Sequence, residues 1–183
     1  MVKGWQKMKI IMVVVTSING KITRADESDF YKWTSKEDED YFFDLLKKNK
    51  VVLMGSNSFN AVKEKIKPDP DRLRIILTSQ PEKYNNFKVA GEIEFWSNTP
   101  IQTVKKLERL GYKKIILTGG GAVNSSFLKD GLVDEVWITI EPKLFGSGKP
   151  VTGPNNFDID LKLKELVQLN KKGTLLLKYL VIK

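Results

Sequence analysis

Short apolar runs rich in β-branched residues alternate with amphipathic segments from Lys9 to Glu141, and this alternation constrains the fold more than any other feature of the chain. Strands are expected at residues 9–16, 50–54, 73–78, 114–117 and 135–141, with a weaker one within 89–96. Helices are expected at 36–48, 56–65, 99–110 and 122–129. The strand runs are apolar at consecutive positions, so both faces of the sheet must be covered, as in parallel sheets. Beyond Gly153 the pattern changes to two extended stretches, 161–169 and 174–182, joined by Asn170-Lys171-Lys172-Gly173, which reads as a hairpin. The expected class is α/β: a mostly parallel central sheet between helices, carrying an antiparallel C-terminal hairpin. At 183 residues and 41% hydrophobic content the chain can bury one core, so residues 1–183 are read as a single domain. Ligands of such sheets collect beyond the carboxyl ends of the strands, where strand order reverses. The candidate site therefore lies in the loops after Thr16, Met54, Thr78 and Thr118.

Gly119-Gly120-Gly121 directly follows one strand run and precedes a helix. Glycines let a ligand approach the backbone, and the free N–H groups at the helix start attract phosphate, so one reading of this turn is a seat for a pyrophosphate-bearing cofactor. The other is a tight turn that needs only small residues. Composition narrows the chemistry further. Cysteine and histidine are absent, which removes disulfides, thiolate chemistry, the commonest general base and the commonest metal ligand. No metal site is expected, and acid–base steps fall to carboxylate, lysine, tyrosine or water. The formal charge of +9 could attract nucleic acid or raise encounter with small anions; the lysines are scattered without an aromatic-interleaved basic motif, so no nucleic-acid partner is expected, and a non-catalytic nucleotide- or nucleic-acid-binding protein is the rival reading from another class. The longest apolar run, residues 10–15, is too short to cross a bilayer and no small-residue cleavage site follows it. No membrane partner is expected, and a cytoplasmic location is the default.

One acid stands out. Asp38, Tyr41, Phe42, Leu45 and Leu46 fall at i, i+3, i+4, i+7 and i+8 of the first helix, which places a carboxyl on the apolar stripe. A carboxylate there must be paired, neutralised or used. Ser35-x-x-Asp38 also fits a capping box, but Thr34-x-x-Glu37 fits equally well with an exposed acid, which leaves Asp38 available for function.

The ordered succession Trp33, Asp38, Phe42, then Met54-Gly55-Ser56-Asn57-Ser58-Phe59, Arg72, Ile75-Ile76-Leu77-Thr78-Ser79-Gln80-Pro81 and the glycine run resembles dihydrofolate reductase up to about Thr139. The resemblance implies a three-layer dihydrofolate-reductase-like fold and hydride transfer from NADPH to a pterin-type C=N bond, with 7,8-dihydrofolate the leading substrate. It casts Asp38 as the catalytic acid that holds the pterin edge. Val13, Val15, Trp33, Phe42 and Thr139 would line the substrate side, and Arg72 would clamp the folate carboxylate. Asn19, Gly20, Gly55, Ser56, Asn57, Ser58, Thr78, Ser79, Gln80, Thr118, Gly119, Gly120, Gly121, Ala122 and Val123 would surround the cofactor. Ser56 and Ala122 stand where the family often has an arginine for the 2′-phosphate, so NADH is the other donor considered.

A second resemblance lies in the same superfamily. Ser17-x-x-Gly20-Lys21-Ile22, Gly131-Leu132-Val133-Asp134-Glu135 and Pro142-Lys143-Leu144-Phe145-Gly146-Ser147-Gly148 are similar to the reductase domain of riboflavin biosynthesis, which reduces a ribosylaminopyrimidinedione 5′-phosphate with NADPH. It implies that Lys21 touches substrate. The acid-bearing helix leans to the first family and the C-terminal third to the second; the first goes with a monomer, the second with a homodimer. In either case the protonating group is water, and the 17–29 loop excludes bulk solvent.

Overall fold

The structure is a computed structural model that describes residues 7–25 and 32–183. Its strands are β1 (Lys9–Ser17), β2 (Val51–Gly55), β3 (Leu73–Leu77), β4 (Ile93–Trp96), β5 (Lys114–Leu117), β6 (Glu135–Glu141), β7 (Leu161–Gln168) and β8 (Leu175–Val181). The helices are α1 (Lys36–Lys47), α2 (Ser56–Val62), α3 (Pro100–Arg109) and α4 (Gly121–Lys129). One eight-stranded sheet has the order β4-β3-β2-β5-β1-β6-β8-β7. Strands β1 to β6 are all parallel, and β8 is antiparallel to both β6 and β7. The hairpin thus reverses the chain once, and β7 runs in the parallel direction again.

Local chemistry sets the boundaries. Thr99 caps α3 with a complete capping box closed by Gln102, and Pro100 begins the helix where its missing N–H is harmless. The expected helix at 56–65 ends at Val62 and tightens into a 3-10 turn at Lys63–Lys65. Pro81 opens a further 3-10 stretch, Pro81–Phe87, which the sequence pattern did not anticipate.

Side-chain alternation sorts the core into two layers around the sheet. On one face, Phe42, Leu45 and Leu46 of α1 cover Ile11, Val13 and Ile116, while Phe59 of α2 covers Val52, Met54 and Ile76. On the other, Val104 and Leu107 of α3 and Phe127 and Leu128 of α4 cover Ile10, Met12, Leu53, Ile75, Ile115 and Leu117. The order of strands reverses between β2 and β1, because the chain returns from the β4 edge to insert β5 there. The carboxyl ends of β1, β2 and β5 therefore open a crevice on the α1–α2 face.

The segment after β1 is zipped to the segment after β6. Ile18 N donates to Lys143 O at 2.9 Å, Ile22 N to Lys149 O at 2.8 Å and Val151 N to Gly20 O at 3.2 Å. Gly148 has φ +143°, and a Cβ there would lie 2.0 Å from Thr23 O, so only glycine fits. Gly148→Ala is expected to unzip the two segments while the sheet stays folded. Limited trypsin digestion should then cut at Lys21 or Lys143 on the order of tenfold faster than in the wild-type protein.

Candidate functional site

A cleft of about 890 Å³ runs across the α1–α2 face from the first turn of α1 to the N-terminus of α4. Val13 and Val15 of β1 form part of its wall. Asp38 and Phe42 of α1 and Thr139 of β6 line one half; β6 pairs Thr139 with Val15, which fixes their common level. Gly55, Ser56, Asn57, Ser58, Thr78, Ser79, Thr118, Gly119, Gly120, Gly121, Ala122 and Val123 line the other half. The first set comes from α1 and β6 and the second from strand ends and the first turns of α2 and α4, so regular elements hold both in place.

Six residues expected at the site do not line this cleft. Trp33 is buried with its ring edge-on to Phe145, centroids 5.1 Å apart. Asn19 is a strut: its amide donates to Phe145 O at 2.7 Å and its carbonyl accepts from Ser17 Oγ at 2.8 Å. Gly20 and Lys21 are committed through their backbones to the zipped segments, Lys21 bridging to Pro150. Gln80 follows the turn after β3, its N–H donating to Thr78 Oγ1 at 3.2 Å. Arg72 forms an ion pair with Asp69 at 2.9 Å, and its Nε donates to Leu46 O at 3.1 Å. Of the loop expected to exclude solvent, residues 26–29 lie outside the described residues.

Asp38 is 6% exposed. Ser35, not Thr34, is the N-cap of α1: its Oγ accepts the Asp38 N–H at 3.3 Å. The Ser35 N–H itself donates to Glu141 Oε1 at 2.7 Å, so the Asp38 carboxyl is not needed to close a capping box and faces the cleft. Glu141 is fixed in turn by Thr174 Oγ1 at 2.9 Å, and Asn170 of the hairpin reaches both Thr174 and Glu37. This chain of hydrogen bonds ties the start of α1 to β6 and the β7–β8 turn, and it orients Asp38 from behind. Burial pushes the Asp38 carboxyl up from 3.8 to about 6; hydrogen bonding by Thr139 opposes that rise, and the negative charges of Glu141 and Glu39 add to it. Tyr41 also lines the cleft, and its buried hydroxyl has no partner among the described residues. Burial, together with the charges of Asp38 and Glu165, holds that phenol protonated.

The other half is built for an anion. Gly55 N donates to Gly119 O at 2.8 Å, which brings the starts of α2 and α4 side by side. Neither helix has a side-chain cap, so their first-turn N–H groups are left for a ligand. A Cβ on Gly121 would lie 2.9 Å from Pro150 O, and one on Gly120 would lie 3.1 Å from Ser58 Oγ. The glycine turn thus serves close packing and leaves a bare backbone floor. These features fit an anionic group such as a pyrophosphate.

Arg74 also lines the cleft, and the sequence reading passed over it. The signal was a charge inside the apolar run Leu73-Arg74-Ile75-Ile76-Leu77. Its register places it in a lateral row with Ile11, Ile116, Val52 and Ile93, all four of them buried.

The family described as the RibD C-terminal domain matches residues 8–175. A Bacillus subtilis protein, the uncharacterized protein YyaP, is 27% identical over 172 residues, covering 89% of this chain and 90% of its own. The crystal structure of a pyrimidine reductase-like protein from Corynebacterium diphtheriae superposes with a TM-score of 0.79 at 18% identity, covering 97% of this chain and 93% of that one. Dihydrofolate reductase from Enterococcus faecalis, complexed with NADP(H), superposes with a TM-score of 0.64 at 15% identity, covering 96% and 97%. The dihydrofolate-reductase-like fold expected from the sequence is thereby shown. Among the described residues no helix is long and apolar enough to cross a membrane.

The buried acid makes stability depend on pH in a defined direction. Because the folded-state value lies above 3.8, the folded protein binds the extra proton between about pH 4 and pH 6, so stability falls as pH rises through that window and stays lowered above it. The penalty at neutral pH is about 3 kcal/mol at most. Asp38→Asn is expected to raise the urea midpoint at pH 7.5 and to change it little at pH 4. Equal effects at both pH values would show that burial of the charge is not what strains the site.

Proposed function

The chain belongs to the RibD C-terminal domain family, and from that premise we propose that it is a nicotinamide-dependent reductase of a C=N bond in a pyrimidine-type substrate, with NADPH as donor and a ribosylaminopyrimidinedione 5′-phosphate as the favoured acceptor. The single observation that carries the reading is a buried, cleft-facing Asp38 at one end of a groove whose other end holds two uncapped helix N-termini. The bound nicotinamide supplies a hydride from its C4 carbon to the imine carbon, and the imine nitrogen takes a proton.

The chain's residues handle everything else. The uncapped starts of α2 and α4 bind the pyrophosphate, and Val13 and Val15 keep the reacting region dry. Asp38 and Thr139 hold the edge of the heterocycle, and the Glu141–Thr174 network fixes their angle. A carboxyl near 6 is accessible in both forms around neutrality. Protonated, it complements the adjacent N–H and C=O of a pyrimidinedione; ionised, it accepts from a two-donor pterin edge. With histidine absent from the chain and Asp38 spent on the far edge, water delivers the proton.

Two findings favour the pyrimidinedione over dihydrofolate. The family match covers residues 8–175, including the C-terminal features that set this family apart. Arg72, which the folate reading requires at the substrate carboxylate, is occupied by Asp69 and Leu46 O. Dihydrofolate remains the second reading on the strength of the Asp38–Phe42–Thr139 arrangement. NADH is the second donor, since Ser56 and Ala122 supply no charge for a 2′-phosphate.

A steady-state assay following loss of the reduced nicotinamide tests this directly. Turnover of the ribosylaminopyrimidinedione 5′-phosphate is the expected result, and turnover of dihydrofolate alone would transfer the assignment to the second reading. No oxidation of NADPH or NADH with either substrate would overturn the reductase proposal. Asp38→Asn should lower kcat/KM roughly 100-fold with the fold intact, the scale of a lost charge-assisted hydrogen bond.

A further inference from the structure

We infer that Arg74 anchors an anionic group on the tail of the substrate, a phosphate monoester or a carboxylate, at the far end of the groove between α1 and α2. The inference rests on the reductase reading for the identity of the molecule that carries the anion. The site itself stands on geometry: Arg74 shares the cleft wall with Leu46 of α1 and with Val62, Lys65 and Ile66 after α2.

A guanidinium in an apolar row needs compensation, and the protein supplies little of it. Nη1 of Arg74 donates to Lys67 O at 3.0 Å, and among the described residues no carboxylate lies within ion-pair distance. The charges of Asp69 and Glu92 favour the charged form, but Asp69 is already paired with Arg72 and neither acid forms an ion pair with Arg74. Burial weakens the charged form of Arg74, and the neighbouring Arg72 charge weakens it further. Most of the planar donor fork is therefore unspent at the wall of a groove, and a tetrahedral or planar oxyanion is the ligand class that matches it.

The spacing agrees. Asp38 and Leu46 are eight residues apart on α1, about 12 Å along the axis. A heterocycle held at Asp38 and carrying a five-carbon phosphorylated chain, or an aromatic linker ending in a carboxylate, spans a gap of that order. This end of the groove is also separate from the glycine turn that receives the cofactor.

The test uses the full-length protein and two variants, Arg74→Met, which keeps the length and suits the apolar row, and Arg74→Lys, which keeps the charge without the fork. Melting shifts and calorimetric affinities are measured with ribose 5-phosphate, with p-aminobenzoylglutamate, with a ribitylaminopyrimidinedione in phosphorylated and dephosphorylated forms, and with NADPH. Arg74→Met should weaken the anionic ligands about 10- to 100-fold, leave the dephosphorylated ring and NADPH within about twofold, and Arg74→Lys should fall between. If ribose 5-phosphate alone binds the wild-type protein it is the phosphate that is read; if only the glutamate conjugate binds, it is the carboxylate. Arg74-dependent binding of a tail without binding of any pyrimidine ring would uphold the anion site and sink the reductase reading. Ring binding that Arg74→Met leaves unchanged for both phosphorylated and dephosphorylated forms would overturn the anchor and spare that reading. Absence of binding by every anionic probe to the wild-type protein would overturn the anchor outright.

Discussion

The 2.8 Å hydrogen bond from Gly55 N to Gly119 O holds together the part of the molecule on which the site depends. It joins the end of β2 to the turn after β5 and sets two helix N-termini against the same space. The fit is tight on both sides. A Cβ on Gly55 would meet Val123 Cγ2 at 2.8 Å, and Gly121 is closed in by Pro150 O. A side chain at Gly55 would push α4 away from β2 and one at Gly121 would push it off the 150–153 segment, and in either case the paired N–H groups would no longer converge. The glycines are therefore packing residues first, and the anion-attracting backbone is a consequence of that packing.

Much of this was legible in the sequence because buried parallel strands leave a plain signature. The runs at 9–16, 114–117 and 135–141 are apolar at consecutive positions, and each became a strand within one residue of the expected limits. Asp38 was legible for a related reason: helical spacing puts it on a stripe of large apolar neighbours, and a charge there calls for an explanation. Direction was harder. A hairpin pattern at 161–182 does not say which of its strands joins the sheet, and the structure inserts β8 beside β6, leaving β7 at the edge.

The residues that fall outside the cleft mostly share a cause. Asn19, Gly20 and Lys21 sit in a loop whose partners lie more than a hundred residues away, and no local pattern encodes the pairing of 18–22 with 143–151. Trp33 packs against Phe145 across a similar separation. Arg72 and Arg74 are a subtler case. Both flank the start of one strand, and the resemblance singles out the first. Only the register, Val52 opposite Arg74 and Ile116 opposite Val52, shows that the second points toward the α1–α2 face. Arg72 lies two residues earlier and so shares that face, but its ion pair with Asp69 and its bond to Leu46 O hold it back from the cleft, which no strand pattern encodes.

The two charges of the groove also explain why it would accept a substrate in one orientation. Neither charge figures among the influences on the other's protonation, so neither offsets the other's burial. Each end therefore remains undercompensated without a ligand. A molecule carrying hydrogen-bond donors on its ring and an oxyanion on its tail relieves both at once. Turned end for end, the same molecule would set its anion beside Asp38, Glu39 and Glu141 and leave Arg74 against an apolar ring, so repulsion and unpaired burial act together against it. On the proposed reading, polarity built along the length of α1 would fix which end of the substrate faces the dinucleotide, and would do so with a buried acid that weakens the fold it stands in.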